Sequence, residues 1–160
     1  MRSCPDDGAV LLLVHDPGQS QADELCGTVI DGRYRIEKKL GAGGMGAVFT
    51  GVQTAVGREV AIKVLAKDVA TNVQSVKRFM QEAKAASALS HPNTITIHDF
   101  GQNEQGLLYL VMELVPGDTL SSIIRREGAM RPSRAVRIAS QILNALEEAH
   151  ALGIIHRDLK

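Results

Sequence analysis

Cysteine is scarce in this chain of 160 residues, with Cys4 and Cys26 the two thiols present. Two thiols make no disulfide framework, and together with His15 they fall short of the four ligands that a closed structural zinc takes. A surplus of either charge is missing too, because 18 Lys and Arg are matched by 18 Asp and Glu. A balanced chain gives no electrostatic reason to expect nucleic acid or an anionic membrane as a general partner. Long apolar runs are absent as well: Val10 to Val14 is far too short to span a bilayer and lacks a signal-peptide layout. The expectation is a cytoplasmic chain with no membrane segment. Internal repeats and low-complexity stretches are not found. What is present, 44% hydrophobic and 22% charged residues, is the composition of a soluble globular protein. The length suits one ordinary domain, or a small lobe plus part of a second.

Residues 1 to about 30 carry Pro5, Gly8, Pro17, Gly18 and Gly27 among Asp, Ser and Gln, which predicts a mostly flexible leader with order beginning near Tyr34. From Tyr34 to Leu40 apolar and charged residues alternate, as in a half-buried strand. Ala47 to Gln53 and Glu59 to Leu65 read as the second and third strands. Val73 to Leu89 has Val73, Val76, Phe79, Met80, Ala83 and Ala86 at helical spacing and ends at His91-Pro92-Asn93. Thr94 to Phe100 and Leu107 to Met112 form two more strands around an Asn103-Glu104-Gln105-Gly106 turn. Beyond Pro116-Gly117 the chain turns helical. A short helix runs from Leu120 to Arg126, capped by Asp118 or Thr119 and stopped by Gly128, and a longer one starts at Pro132 and stops before Gly153.

The stretch that organises the chain is Leu40 to Lys63. Gly41, Gly43 and Gly46 stand in a G-x-G-x-x-G spacing. Such a spacing can open a dinucleotide-binding unit, but that requires a helix directly after it. Here Ala47-Val48-Phe49-Thr50 follows, which is strand. Two strands joined by a glycine-rich turn make a flap whose backbone amides can approach phosphates, since glycine has no Cβ to obstruct them. Lys63, in Val60-Ala61-Ile62-Lys63, adds a cation on the next strand. Alone, Lys63 reads as a strand lysine in water and Glu82 as a helix-surface charge beside Arg78. A desolvated ammonium needs an anion, however, and Glu82 in the middle of the amphipathic helix can supply it.

Flap, strand lysine and a terminal His156-Arg157-Asp158-Leu159-Lys160 resemble, in order and in wording, the bacterial eukaryotic-type Ser/Thr protein kinases. The resemblance covers about Tyr34 to Lys160. It implies an α+β fold with a five-stranded antiparallel sheet and one long helix, followed by the first helices of a helical lobe. The domains would be a leader at 1–30, a nucleotide-binding lobe at 31–115 and a partial second lobe at 116–160. ATP and Mg2+ are the implied cofactors, and a protein Ser or Thr hydroxyl is the implied acceptor. ATP would lie under Leu40, Gly41, Ala42, Gly43, Gly44, Met45 and Gly46, between Val48 and Ala61. Met112 would guard the pocket, and the backbone of Glu113 and Val115 would hold the adenine edge. Lys63, paired with Glu82, would hold the phosphates. Asp158 would accept the substrate hydroxyl proton, Lys160 would touch the transferred phosphate, and Arg157 would bind a phosphorylated loop.

The sequence departs from the family's pattern in carrying no D-F-G, no A-P-E and no Asn after HRDLK, so it looks like the first half of a kinase and offers no metal ligands of its own. A non-catalytic nucleotide-binding or interaction fragment is the rival reading, and a small-molecule phosphotransferase a third. Cys4-Pro5-Asp6-Asp7-Gly8 resembles one knuckle of a small zinc ribbon without its partner, and an unligated leader is the plainer account of it.

Overall fold

The structure, a computed structural model, describes residues 2–3, 10–11, 24–43, 46–65 and 73–156, with the side chains of residues 2, 3, 10, 11, 75, 78 and 82 outside that description. The elements in chain order are β1 (Arg2–Ser3), β2 (Val10–Leu11), β3 (Val29–Ile30), β4 (Tyr34–Gly43), β5 (Gly46–Gln53), β6 (Arg58–Leu65), α1 (Val73–Ala86), β7 (Ile97–Gln102), β8 (Leu108–Glu113), α2 (Leu120–Glu127) and α3 (Pro132–Ala151). Strands β1 and β2 pair with each other. The rest form one six-stranded antiparallel sheet in the order β3-β4-β5-β6-β8-β7.

Five of those strands lie where the alternation of residues predicts them, with ends shifted by up to three residues. The sixth, β3, is an addition, and it corrects the expectation that order begins near Tyr34. Its Ile30 is 2% exposed and belongs to the core. Helix α1 ends at Ala86, three residues before the Leu89 that its periodicity suggests.

The core follows from strand alternation. In β5 the inward positions are Ala47, Phe49 and Gly51; across from them in β6 stand Val64, Ile62 and Val60. Val111 and Tyr109 of β8 continue the same rows, and Ile36 and Tyr34 of β4 close them. Phe49, Ile36, Val60, Ile62 and Val111 are fully buried. Burying each such side chain contributes about 1.5–3 kcal/mol, which explains why this face is the organising one.

Two bulges in β4, between Ile36 and Lys38 and between Lys39 and Gly41, add one residue each against β5. Bulges bend a strand and raise its twist. The sheet curls far enough for its two edges to meet. Arg33, in the turn before β4, ion-pairs with Asp99 of β7 at 2.7 Å and donates to the Tyr109 hydroxyl of β8 at 3.0 Å. Tyr34 donates to Asp99 at 2.8 Å, and Tyr109 donates to Asp31. The Tyr34 and Tyr109 rings tilt against each other 6.2 Å apart, with the Arg33 guanidinium 5.3 Å from the Tyr34 centroid.

Helix α1 lies against β7, with Ala83 buried and Phe79 and Met80 half-buried on its inner side. Thr119 caps α2 by accepting the Ser122 N–H at 3.1 Å, and Gly128, at φ 79°, ends it by donating to Ile124. Asp118, the other cap candidate, pairs with Arg126 instead. Pro132 opens α3, where a missing N–H costs nothing. Glu148 of α3 accepts the backbone N–H of Ser90 at 2.9 Å, which ties this helix to the connection after α1. Ala145 and Ala149 of α3 are buried, Ile138 and Leu146 half-buried, and Val136, Ile142 and Leu143 exposed.

Candidate functional site

Directly opposed residues in antiparallel strands put their side chains on the same face. One row therefore runs Gly41, Val48, Lys63, Leu110 and Phe100 across β4, β5, β6, β8 and β7. The next row runs Lys38, Thr50, Ala61, Met112 and Ile97. Both rows lie on the face opposite Phe49, Ile62 and Val111. The fold thus brings Gly41, Val48, Ala61, Lys63 and Met112 onto one surface, with the end of β4 and the start of β5 at its rim. The other members of these rows, Lys38, Thr50, Ile97, Phe100 and Leu110, belong to none of the sequence motifs. Counting two residues back from Met112 would have found Leu110.

The chemistry of this face is a patch of apolar side chains with Lys63 among them and Lys38 exposed beside Thr50. Ala61 is buried, Val48 and Met112 are half-buried, and the Lys63 stem is half-buried between Val48 and Leu110. Leu40 is 55% exposed, because the second bulge takes it out of register with β5. Gly41, Ala42 and Gly43 are exposed at the rim, and a Cβ built on Gly41 or Gly43 would meet nothing within 4 Å. The Glu113 N–H is already donated to Thr96 at 2.9 Å, so the backbone group left to Glu113 is its carbonyl. Val115 is exposed just beyond it.

Other expected site residues fall outside this surface. Gly44, Met45, Arg157, Asp158 and Lys160 lie outside the described residues. The backbone of Glu82 is in α1, one position before the buried Ala83, while its side chain lies outside the description. The segment Cys4 to Gly8 also lies outside it. Among the described residues no group of three or more His, Cys, Asp or Glu could hold a metal ion, and no helix is long and apolar enough to cross a membrane.

This curled antiparallel sheet, with exposed glycines at the end of β4 and a lysine on β6, has the architecture of a kinase N-lobe. A family profile described as protein kinase domain matches residues 34–160, and the chain belongs to the protein kinase family. Its relatives are bacterial Ser/Thr kinases. It is 48% identical to the serine/threonine-protein kinase pkn3 of Myxococcus xanthus over 86% of this chain and 25% of that protein. To PrkC of Bacillus subtilis it is 43% identical, over 85% of this chain and 21% of that one. Among solved structures, the PknI kinase domain of Mycobacterium tuberculosis superposes with a TM-score of 0.71 at 29% identity, covering 84% of this chain and 53% of that one. The chain thus spans about a quarter or less of these two curated relatives and about half of the solved kinase domain.

Proposed function

We propose that this chain is the nucleotide-binding part of an ATP-dependent Ser/Thr protein kinase, with the sheet from β3 to about residue 115 as the lobe that holds ATP, 116–160 as the opening of the helical lobe and the residues before β3 as a leader. The observation that supports this reading is the shared face of Gly41, Val48, Ala61, Lys63 and Met112. An apolar patch suits a purine ring, and a cation beside open backbone suits phosphates. Val48 and Ala61 cover the adenine, with Met112 at the back and the Glu113 carbonyl and Val115 N–H at the edge. Lys63 contacts the α- and β-phosphates and is held there by Glu82.

In the reaction the acceptor hydroxyl oxygen bonds to the γ-phosphorus as the bond from that phosphorus to the β–γ bridging oxygen breaks, and ADP leaves. Asp158 takes the hydroxyl proton and Lys160 steadies the transferred group. Magnesium, when bound, supplies further neutralisation of the phosphates; no cluster among the described residues fits it. The acceptor is a protein Ser or Thr, and the cytoplasm, where ATP is available, is the site of action.

The test uses the full-length protein. ATP binding followed by calorimetry should weaken at least tenfold in Lys63→Met, with the thermal midpoint of the nucleotide-free protein unchanged. Transfer of labelled phosphate to a Ser/Thr acceptor should vanish in Asp158→Asn. Binding without transfer in the unsubstituted protein would favour a non-catalytic nucleotide-binding module, and no binding at all would sink the reading.

A further inference from the structure

Arginine is concentrated at one corner of the molecule, where α2 hands over to α3. Arg125, Arg126, Arg131, Arg134 and Arg137 follow one another with Glu127 the single acid among them, although the chain as a whole is charge-balanced. All of them are exposed. Arg126 is held by Asp118 at 2.6 Å and by Glu127 at 3.2 Å, and Arg134 by the other Glu127 oxygen at 3.0 Å. Those hydrogen bonds, Arg126 first, hold the Glu127 carboxyl below its ordinary range. Among the described residues Arg125, Arg131 and Arg137 meet no acid. Arg131, Arg134 and Arg137 recur every third residue and so form one row along the start of α3. Stability does not account for this row, because neighbouring like charges repel and no acid stands in the first turn of α3 to offset them. Beside it lies a pocket of about 220 Å3, whose lining includes the half-buried Ile123 and Met130 together with Glu127, Arg131 and Arg134.

We propose that this corner docks an acidic peptide segment of a partner protein, with carboxylates on Arg131 and Arg137 and one apolar side chain in the pocket. The Glu127 carboxylate, shared by Arg126 and Arg134, shows how the corner takes such a group, and a planar guanidinium binds a carboxylate through two parallel hydrogen bonds. From Arg131 to Arg137 the row is about 9 Å long at 1.5 Å per residue, a span that about three extended residues match. The pocket is smaller than the roughly 300–1,000 Å3 of small-molecule sites, so it suits a single anchoring side chain. Asp118 and Glu127, standing inside the patch, disfavour the dense negative charge of a nucleic acid or a lipid surface, whereas a peptide can set a neutral residue against them. None of these residues belongs to the Lys63 face, so the proposal stands apart from the nucleotide-binding reading.

The experiment follows the fluorescence anisotropy of a labelled peptide of alternating Glu and Ser with one central Leu, titrated with the full-length protein at low ionic strength. The peptide should bind, and more weakly as salt is added, because exposed charges are screened. Replacing every Glu of the peptide by Gln should abolish binding, and replacing its Leu by Ala should weaken it about fivefold. Arg131→Glu with Arg137→Glu should lose about tenfold or more in affinity and should instead bind the peptide that carries Lys in place of Glu. That variant should melt no lower than the unsubstituted protein, since it breaks up the row of like charges. An unbound Glu peptide, equal binding of the Gln peptide, indifference to the Leu, or a charge-reversed protein that binds the Glu peptide as before would each overturn the inference. So would vesicles of anionic phospholipid, or single-stranded RNA, that bind more tightly than the peptide and are lost through the same two substitutions, because the surface would then belong to a lipid or a nucleic acid.

Discussion

Arg33 and Asp99 lie at opposite edges of the sheet, 66 positions apart by their numbering, and their charged groups meet at 2.7 Å. The pair is unequally exposed, at 53% for the Arg33 side chain and 23% for Asp99, so its Coulomb attraction is partly screened. Asp99 nevertheless serves two partners, accepting from Tyr34 as well as from Arg33, and its other oxygen accepts the Phe100 N–H at 2.9 Å. Removing Asp99 takes the acceptor from Arg33, Tyr34 and the Phe100 N–H together, whereas removing the more exposed Arg33 takes one donor each from Asp99 and Tyr109, so the first costs more. Asp99→Ala should lose about 1–3 kcal/mol of stability and Arg33→Ala about 1 kcal/mol or less. Denaturant unfolding of the two variants gives the comparison, and an equal or reversed order would show that the clasp is not centred on Asp99.

The same clasp sets an alkaline limit. Burial first, and then the hydrogen bond to a carboxylate, push the Tyr34 and Tyr109 phenols up to about 12 from an ordinary value of 10.0. The folded state thus keeps phenol protons that the unfolded state releases. Stability from this source is complete below pH 10 and declines as pH rises from 10 towards 12. Tyr34→Phe should lower stability at pH 8 by about 0.5–1.5 kcal/mol and make the alkaline decline shallower. Unfolding midpoints measured across pH 8 to 12 would test both parts.

How much of this was legible depends on the range over which the information acts. The alternation in β5 and β6 is local, and it located those strands and, through register, the shared face of Val48, Ala61 and Lys63. Thr119, Gly128 and Pro132 mark helix ends by chemistry that acts within one turn. The clasp could not be read that way. Alternation puts Tyr109 on the core face of β8, but Asp31 and Arg33 lie in a turn with no period, and only the curl of the sheet brings them to Tyr109 and Asp99. The curl itself comes from bulges at Glu37 and Leu40, where nothing in the sequence announces an extra residue. Strand β3 is two residues long, too short for alternation to show against the glycines and polar residues around it.

Gly51 is a core position that looks like a flexible one. A Cβ there would stand 2.6 Å from the Arg35 carbonyl oxygen and 2.5 Å from the Ile62 Cδ1. Ile62 can yield by changing rotamer, but Arg35 can move only if β4 moves. Gly51→Ala should therefore cost about 1–3 kcal/mol, the usual penalty for overpacking a filled core. Gly41→Ala, which meets nothing, is the control. Equal unfolding free energies for the two variants would mean that β4 and β5 separate more easily than their bulged pairing suggests.

Helix α3 leaves Val136 at 65%, Ile142 at 43% and Leu143 at 64% exposure, while its Ala145 and Ala149 are buried. Each large side chain left in water forfeits part of the roughly 1.5–3 kcal/mol that burial would return. Three together approach the lower end of the roughly 5–15 kcal/mol that stabilises a whole domain. Contact between copies is the available way to recover that energy when these 160 residues are prepared alone. The isolated chain is expected to self-associate at micromolar concentration. Val136→Lys with Leu143→Glu should make it monomeric without lowering its melting midpoint, because both positions face solvent. Sedimentation of the two proteins decides it: an unsubstituted chain that is already monomeric and melts cooperatively would show that the exposed face carries no such drive.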